Sequence, residues 1–401
     1  MRQYWSEIKS FFRKGDVILL VLCLFASGFG CLMIASATNY TDSLRHVYVQ
    51  AIAICIGVVV YILVSSFDVG FLCEHHRWLV AFNIGMILLL ETPFGTDGGT
   101  GNKSWLDFPF LPVMIQPAEF VKITFVLVLA SVMASHQERV SHVVSIAHVL
   151  VHFGIIFALN MKISGDLGVS AIFAAIFVGM AFAGGVRLIW FGIGLAGVAA
   201  AVPIIWPFLA PYQQNRILVV FDPTIDPLGL KERYHMLHSQ RSLFGGGLTG
   251  QGLFQGNRTQ AGGALFAQHT DFIFSAIGEE LGYIGCILTM LMLLAIIARC
   301  VYVGTKSPDY LRKLICFGVA SSLIFQTLLN VGMCMGVLPI VGLTLPFISY
   351  GGSSIISLFA MVGLVSGIKA RPQRPVHERY VYAPIGLEIK QRRLKKRTEY
   401  L

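Results

Sequence analysis

Residues 17–38 read VILLVLCLFASGFGCLMIASAT and carry no charged side chain. An α-helix of roughly 20 apolar residues crosses a hydrocarbon core of about 30 Å, because each residue advances the helix by about 1.5 Å. The run is too long for the apolar part of a removable signal peptide, and no small-residue cleavage site follows it closely. We therefore predict a retained membrane-spanning helix.

Similar runs recur along the whole chain of 401 residues. The chain is 55% hydrophobic and only 13% charged, with a mean hydropathy of +0.72; soluble domains carry roughly a quarter charged residues. This composition predicts an all-α integral membrane protein, a single polytopic domain over 1–401 with about ten transmembrane helices. The predicted spans are 17–38, 46–67, 76–94, 113–135, 143–161, 167–184, 188–209, 272–298, 314–337 and 342–368.

The distribution of Lys and Arg predicts the orientation of these spans, because cytoplasmic loops carry an excess of both residues. With residues 1–15 placed in the cytoplasm, 21 Lys and Arg lie inside and 8 outside, and Lys122 lies within a helix. An even number of spans also puts the basic tail, 369–401, inside. We expect a ten-helix bundle over 16–368, both termini cytoplasmic, and a large extracellular loop at about 210–271 between helices 7 and 8.

The net charge of +9 is not taken as a sign of nucleic-acid binding. Its excess lies in the tail, where QRRLKKR (391–397) would face the anionic lipid head groups of the membrane. The simpler interpretation is that these residues only fix the topology. We therefore expect the membrane, and no nucleic acid, as the partner of this charge.

Charged residues within spans are candidates for function, because burying them in a bilayer is costly. Glu119 and Lys122 are three residues apart in one predicted span, so they share a helix face and can neutralise each other. Pro117 just before them suggests a broken or kinked helix whose freed carbonyl groups face protein or water. The pair is either a buried packing feature or part of a polar cavity.

Asp271 stands where the large loop meets the eighth predicted helix, in HTDFIFSAIGEELG (269–282). A carboxylate at the start of a helix can cap its free N–H groups, and Thr270 could do so equally. From position alone, capping and catalysis are both open for Asp271.

Three neighbours of Asp271 are further candidates. At 3.6 residues per turn, Glu279 lies about 80° from Asp271 around the helix axis and Glu280 about 180°, so Glu279 is expected to share its cavity. The simpler interpretation of both glutamates is an internal pair with a basic group such as Lys122. His269 could orient Asp271, or it could be a solvated loop residue.

Other outer segments add candidates for a polar cavity. Asp166, in SGDLGVS (164–170), opens the sixth predicted helix as a cap or as a cavity residue. Arg216 could bind a phosphate bidentately, or could simply extend to the interface. Ser353, in PFISYGGSS (346–354), indicates close helix packing or a carbohydrate or phosphate site. These residues alone leave enzyme and transporter open.

Four segments follow one another along the chain in a recognisable order. They are SWLDFPFLPVMIQPAEFVK (104–122), FDPTIDPLG (221–229), HTDFIFSAIGEELGYIG (269–285) and GVLPIVGLTLPFISYGGSS (336–354). Together they resemble the SEDS family (shape, elongation, division and sporulation), the membrane glycosyltransferases that polymerise bacterial peptidoglycan. The resemblance covers nearly the whole chain. It implies a multi-pass protein of the bacterial cytoplasmic membrane with ten spans and both termini inside.

The resemblance also implies roles for individual residues. The Asp of the family's HTDF segment is its essential acidic residue, which maps to Asp271; its Glu, Lys and loop Trp map to Glu119, Lys122 and Trp105. The implied substrate is lipid II, and the implied partner is a class B penicillin-binding protein. Asp271 would accept the proton of the attacking sugar hydroxyl, giving a β-1,4 glycan by inversion. A divalent cation, Mg²⁺ or Mn²⁺, is left open as a cofactor.

Some positions depart from the family pattern. Lys103 and Ser104 precede Trp105 where an Arg is usual, and Ala118 replaces a usual Ser.

The spacing of GLFQGNRTQ (252–260) resembles the elongation protein RodA more than the division protein FtsW. A lipid II flippase, another transporter and a non-enzymatic scaffold for wall synthesis are the alternatives to a glycosyltransferase.

Overall fold

The computed structural model describes residues 15–41, 43–98, 101–109, 114–209, 211–230, 233–261 and 267–371. Its helices are α1 (Val17–Ala37), α2 (Arg45–Ser66), α3 (Val69–Glu74), α4 (His76–Leu88), α5 (Pro117–Ser135), α6 (Val143–Ile163), α7 (Leu167–Ala183), α8 (Leu188–Ile205), α9 (Pro211–Phe221), α10 (Tyr234–Gly245), α11 (Asn257–Gln260), α12 (Ile273–Lys306), α13 (Tyr310–Cys334) and α14 (Gly352–Ala370). Two short antiparallel strands, β1 (Gly95–Thr96) and β2 (Trp105–Leu106), form a hairpin.

Membrane-crossing helices dominate the structure. In the part of the chain that is described, eight helices are long and apolar enough to span a bilayer. Two shorter ones, α4 and α7, stand where the remaining spans are predicted: α7 has 17 residues, and a 3-10 turn extends α4 to Glu91. The prediction of an all-α integral membrane protein is confirmed. The predicted tail lies outside the described residues from position 372 onward.

The last predicted span, 342–368, is wrong at its start. The helix α14 begins only at Gly352, and the residues before it follow an irregular path. Gly342 and Phe347 have φ of +65° and +63°, a left-handed conformation that a right-handed helix does not accommodate. Pro346 between them has no backbone N–H to donate to a helical hydrogen bond. The apolar run therefore divides into an outer loop and a helix.

The large loop before α12 is ordered by packing on that helix. It holds α9, α10 and α11, and α10 buries Met236 and Ser239. Two glycines allow the close approach: a Cβ at Gly250 would lie 2.1 Å from the Glu280 carbonyl oxygen, and Gly282 in α12 has φ of +67°. Left-handed φ values of this kind favour glycine, so the loop and the kink in α12 depend on each other.

Small residues let the central helices meet closely. A Cβ at Gly57 of α2 would lie 2.6 Å from the Phe359 ring of α14, and one at Gly363 would lie 3.0 Å from the Tyr61 carbonyl oxygen. Close backbone contact of this kind is the usual basis of helix association in membranes. The helix α8 differs from α14, because none of its described residues is buried.

Ion pairs connect the helices at one end of the bundle, where α1 begins and α14 ends; we call this the inner end and the opposite end the outer end. Asp16 is fully buried, and its carboxylate lies 2.8 Å from Arg299 Nε and 3.1 Å from Lys369 Nζ. The three residues belong to the start of α1, to α12 and to α14. A buried carboxylate with two cationic partners therefore fixes these helices together.

Candidate active site at the outer end

Asp271 occupies a turn just before α12. The N–H groups of Asp271 and Phe272 donate to the Ala267 carbonyl oxygen at 3.1 and 3.3 Å. The helix N-cap residue is Phe272, and no side chain makes a capping hydrogen bond there. The capping interpretation of Asp271 is therefore wrong, and this half-buried residue can serve another role.

The environment of Asp271 favours proton transfer near neutral pH. The pKa of its carboxyl group is raised from 3.8 to about 6, mainly because the group is buried; the Thr270 side chain acts to lower this pKa, and the Asp166 carboxylate acts to raise it. A carboxylate with this pKa is ionised at pH 7 but binds a proton more readily than an exposed one. A general base is most effective when its pKa lies near the operating pH.

Asp166 lies near Asp271 and caps α7. Its Oδ1 accepts a hydrogen bond of 3.0 Å from the Val169 N–H, as the capping prediction requires. Burial raises the pKa of Asp166, whereas the N–H groups of Val169 and Gly168 and the charge of Lys122 lower it. Asp166 is thus a cap that also faces the two functional candidates Asp271 and Lys122.

The Glu119 and Lys122 pair is formed as predicted. Lys122 Nζ lies 2.8 Å from Glu119 Oε1, and the two residues are only 1% and 4% exposed. The Ser357 hydroxyl of α14 donates a 2.6 Å hydrogen bond to Glu119 Oε2. Ser353 is buried one turn earlier in α14, so it shares a helix face with Ser357. The sequence predicted the pair, and its functional role stays a prediction.

The β hairpin brings Trp105 to the same end of the bundle. Trp105 is half-buried, and a Cβ at Gly98 would lie 3.2 Å from its ring. The preceding residue, Ser104, forms a buried hydrogen bond of 2.6 Å with the Ser164 hydroxyl, in the turn that leads to Asp166. The loop that carries Trp105 therefore lies against the start of α7.

Glu279 and Glu280 of α12 are hydrogen-bonded to residues of other segments. Glu279 accepts hydrogen bonds from the Arg258 N–H at 2.6 Å and the Thr259 hydroxyl at 3.0 Å. Glu280 accepts from the Ser36 hydroxyl at 2.7 Å. Asp271 lies in a turn outside α12, so the helical period does not relate it to Glu279, and a shared cavity stays a prediction. The interpretation that either glutamate pairs with Lys122 is wrong, because the ion-pair partner of Lys122 among the described residues is Glu119. Both carboxylates bind the outer loop.

His269 packs among rings instead of bonding to Asp271. Its ring centroid lies 4.7 Å from that of His46 and 5.5 Å from that of Tyr350. Burial, and then the proximity of His46, lowers the pKa of His269 to about 4, so the ring is neutral at pH 7. The Tyr350 N–H donates to the His269 carbonyl oxygen at 2.9 Å. These contacts fix the turn that carries Asp271.

Arg216 is exposed on α9 and close to the same turn. After burial, its charge is the cause that lowers the pKa of His235. The His235 ring stacks on Phe272, with centroids 5.9 Å apart, and Phe272 follows Asp271 directly. A cation is thus present on the loop side of the site, and its binding of a phosphate stays a prediction.

Asn330 is a site residue that the sequence analysis missed. Its Nδ2 donates to the Asp271 carbonyl oxygen at 2.8 Å and to the Leu343 carbonyl oxygen at 2.6 Å. The residue is fully buried in α13. A buried amide in an apolar run is costly unless its hydrogen bonds are made, and this signal could have identified it.

The described residues also show whether this site could hold the divalent cation that the sequence left open. Within the described ranges, no group of three or more His, Cys, Asp or Glu side chains converges as a metal site. Mg²⁺, however, usually takes only one or two carboxylates and leaves its other positions to water and substrate phosphates. Asp166, beside Asp271, is a carboxylate of that kind, so the site fits an ion held largely by substrate.

Comparison with known proteins agrees with this arrangement. Residues 17–374 match the family of FtsW, RodA and SpoVE, described as cell cycle proteins. The chain is 31% identical over 369 residues to the probable peptidoglycan glycosyltransferase FtsW of Geobacter metallireducens, across 89% of this chain and 95% of that one. It is 30% identical over 372 residues to the peptidoglycan glycosyltransferase MrdB of Escherichia coli, across 92% and 95%.

A solved structure gives the same result for the fold. The chain aligns with a TM-score of 0.75 and 28% identity to a chain of a peptidoglycan synthase complex, whose structure concerns the coordination of polymerization and crosslinking. The alignment covers 88% of this chain and 97% of the other. The arrangement of helices around the outer site is therefore one that a solved protein also has.

Proposed function

Because the chain belongs to the FtsW, RodA and SpoVE family of cell cycle proteins, we propose that Asp271 is the general base of its reaction. The protein is a peptidoglycan glycosyltransferase and a multi-pass membrane protein. Its proposed substrate is lipid II, a disaccharide-pentapeptide carried on undecaprenyl pyrophosphate. The proposed site of reaction is the outer face of the cytoplasmic membrane.

The chemistry requires one proton acceptor and a good leaving group. The acceptor sugar hydroxyl attacks the donor anomeric carbon, and Asp271 takes up the hydroxyl proton as the new glycosidic bond forms. The bond from the anomeric carbon to the pyrophosphate breaks, and undecaprenyl pyrophosphate leaves with the electron pair. Direct displacement inverts the α-linked donor to a β-1,4 linkage, so no second carboxylate is needed as a nucleophile.

The observation that carries this proposal is the state of the Asp271 carboxylate. It makes no capping bond to α12, it is half-buried, and its pKa is raised to about 6. Asn330 binds its main-chain carbonyl oxygen, so its position is fixed from a neighbouring helix. An ionised, positioned carboxylate with a raised pKa is what general base catalysis requires.

Cations near this carboxylate suit a pyrophosphate. Lys122 lies close enough to lower the pKa of Asp166, and Arg216 lies on the loop side near Phe272. A divalent cation held by Asp166 and substrate phosphates would neutralise charge on the leaving group. We assign Glu119 the task of holding Lys122, and Trp105 and Ser353 to the walls of the cavity.

The position of the proposed base favours an enzyme over a transporter. A transporter must move lipid II between both faces of the membrane, whereas a polymerase needs one reaction centre on one face. Asp271 is half-buried and lies at the outer end, next to the large loop.

A class B penicillin-binding protein is the proposed partner, because glycan strands need a crosslinking enzyme and the similar solved chain belongs to a peptidoglycan synthase complex. Within the family we propose a role in elongation, which rests on the spacing of GLFQGNRTQ (252–260). Relatives with different names match this chain about equally, at 31% and 30% identity. Complementation of strains depleted of an elongation or a division homologue tests this assignment.

Polymerisation of labelled lipid II by purified protein tests the function. The wild type should form glycan strands that a muramidase digests, and Asp271→Asn should form almost none. Asp222→Asn is the matched control, because Asp222 is an outer-loop carboxylate that is exposed and bonded to Thr224. Equal loss of product in both variants would show that the assay reports damage to the outer loop and not loss of a base.

A further inference from the structure

A cavity of about 320 Å³ opens at the inner end, between the end of α12, the start of α13 and the end of α14. Among the described residues, four cationic side chains and no carboxylate line it. These cations are Lys306, Arg312, Lys369 and Arg371. The remaining wall is partly apolar and includes Tyr302, Val303 and Ile368. A cavity with this lining is suited to an anion that also has an apolar part.

Arg312 is buried, and its carboxylate partners are distant. Its side chain is 10% exposed, and its guanidinium nitrogens lie 3.4 Å from Asp309 Oδ2 and 3.8 Å from Asp68 Oδ1. Charge-assisted hydrogen bonds between Arg and a carboxylate are about 2.7–2.9 Å long. Its Nη1 also donates to the Arg371 carbonyl oxygen at 3.2 Å. This guanidinium thus has only long contacts to its carboxylates, so a phosphate entering the cavity could add shorter, charge-assisted bonds.

Arg371, which lines the same cavity, has a guanidinium nitrogen whose hydrogen-bonding capacity is not used by the described residues. Its Nη2 donates to the Ser66 carbonyl oxygen, while its buried Nη1 has no hydrogen-bond partner among the described residues. Nη1 lies 3.8 Å from Asp68 Oδ1, the same atom that lies 3.8 Å from Arg312 Nη2. One carboxylate oxygen thus serves two guanidinium groups, at a distance too long for a good hydrogen bond to either.

We propose that this inner-end cavity binds the phosphate of an anionic phospholipid from the cytoplasmic leaflet. Two guanidinium groups can hold phosphate oxygens in the paired geometry that Arg favours. The cavity lies at the inner ends of membrane-spanning helices, where lipid head groups meet a spanning helix, and its apolar wall can receive the glycerol and the first part of an acyl chain. Basic pockets between helices on the cytoplasmic side are known to select anionic head groups.

The lipid would bridge three helices and so stabilise the bundle. α12 continues from the turn of Asp271 to this cavity, α13 carries Arg312, and α14 leads to Arg371. The inference does not depend on the glycosyltransferase proposal, because it uses none of the outer-end residues. A lipid site here is also distinct from a general attraction of basic residues to the membrane surface, and the experiment below separates the two.

Purified protein is reconstituted in nanodiscs of phosphatidylcholine with or without phosphatidylglycerol, and lipid retained after transfer to detergent is counted by native mass spectrometry. The test variant is Lys306→Gln with Arg371→Gln. The matched control is Arg77→Gln with Lys313→Gln, which removes two inner-end cations that do not line the cavity.

We expect the wild type and the control to retain phosphatidylglycerol and to melt at a higher temperature with it. The test variant should bind it at least about tenfold less tightly, because each cation near an anionic head group contributes roughly 1 kcal/mol and 1.4 kcal/mol is a factor of ten. Equal retention by test variant and control would overturn the site in favour of diffuse surface attraction. Displacement of the lipid by millimolar inorganic phosphate would overturn the lipid assignment in favour of a soluble anion.

Discussion

Asn330 Nδ2 lies 2.8 Å from the carbonyl oxygen of Asp271, so a buried amide near the outer end of α13 holds the main chain of the proposed base. The same amide binds the Leu343 carbonyl oxygen at 2.6 Å and thereby ties the irregular loop before α14 to the turn before α12. The position of the carboxylate thus depends on a residue that does not itself touch the reacting groups.

Asn330→Ala should therefore lower kcat while leaving KM within about twofold. A displacement of the base by about 1 Å can cost ~10²-fold in rate. The pH at which the rate is half-maximal should not move, because the carboxyl group itself is unchanged. Gln326→Ala is the control, since Gln326 lies one turn earlier on α13 and bonds to Thr344 and not to Asp271. Equal losses in both variants would reduce Asn330 to a packing role.

The Glu119 and Lys122 pair should behave as one buried unit. Removing one member leaves an unpaired charge in the bundle, at a cost on the order of 3–5 kcal/mol. Glu119→Gln and Lys122→Met should each lower the melting temperature and the yield of folded protein, and the double variant should lose less than the sum of the two. Melting curves of the four proteins measure the coupling, and strictly additive losses would contradict the 2.8 Å contact.

The rate should depend on pH through Asp271. Because its carboxyl pKa is raised to about 6, the base is protonated below that pH and the rate of polymerisation should fall as the pH drops from 7 to 5. Asp271→Asn should show no such step in its residual rate. Measuring initial rates in buffers of constant ionic strength tests this, and a step that persists in the variant would belong to another group.

The same pKa has a consequence for stability. A carboxyl group whose pKa rises from 3.8 to about 6 on folding stabilises the protein fully below pH 3.8, and this stabilisation is lost as the pH rises through 6. Asp271→Asn, which is neutral at every pH, should therefore melt above the wild type at pH 7.5 and at the same temperature near pH 4. Melting of both proteins at the two pH values measures the difference.

Glu280 should anchor the outer loop. Its carboxylate accepts from the Ser36 hydroxyl at 2.7 Å, from Gln260 Nε2 at 3.0 Å and from the Phe254 N–H at 3.3 Å, without exposure to solvent. Glu280→Gln removes the charge that strengthens these bonds, and each buried group left unsatisfied costs about 1–3 kcal/mol.

The measurement for Glu280 is the rate of proteolysis within residues 250–260, together with the melting temperature. Glu280→Gln should be cut faster and melt earlier than the wild type. Glu91→Gln, at an exposed glutamate, should behave as the wild type does. If the two variants are cut at the same rate, the hydrogen bonds of Glu280 to Ser36, Gln260 and Phe254 do not hold the loop.

The helices of this fold could be predicted from the sequence because each follows from a local rule, about 20 apolar residues for one crossing of the bilayer. The start of α14 could not, because Phe347 adopts a left-handed conformation that only the assembled outer loop imposes. The Glu119 and Lys122 pair was predictable from a spacing of three residues. The link from Asn330 to Asp271 was not, because it joins a helix to a turn that lies 59 residues earlier in the chain.

The surroundings of Glu279 show the same limit. Asp271 is not part of the helix, because α12 begins only at Ile273, so the period of the helix does not relate the two carboxylates. The carboxylate then finds its partners in the loop near Arg258, which no period along one helix could show. The helical period predicts which residues share one face of a helix. The cavity around Asp271 depends on which of these faces meet in the folded bundle, and the period does not predict that.

The initial rate of lipid II polymerisation by purified Asp271→Asn, relative to the wild type at saturating substrate, tests the central claim most directly. Asn keeps the size of Asp but cannot accept a proton, and loss of a positioned base typically costs a factor of ~10²–10⁴. We expect a folded variant that binds lipid II with unchanged affinity, turns it over at less than a hundredth of the wild-type rate, and is not rescued by Asp271→Glu. A rate above about a tenth of wild type would contradict the assignment of Asp271 as the base.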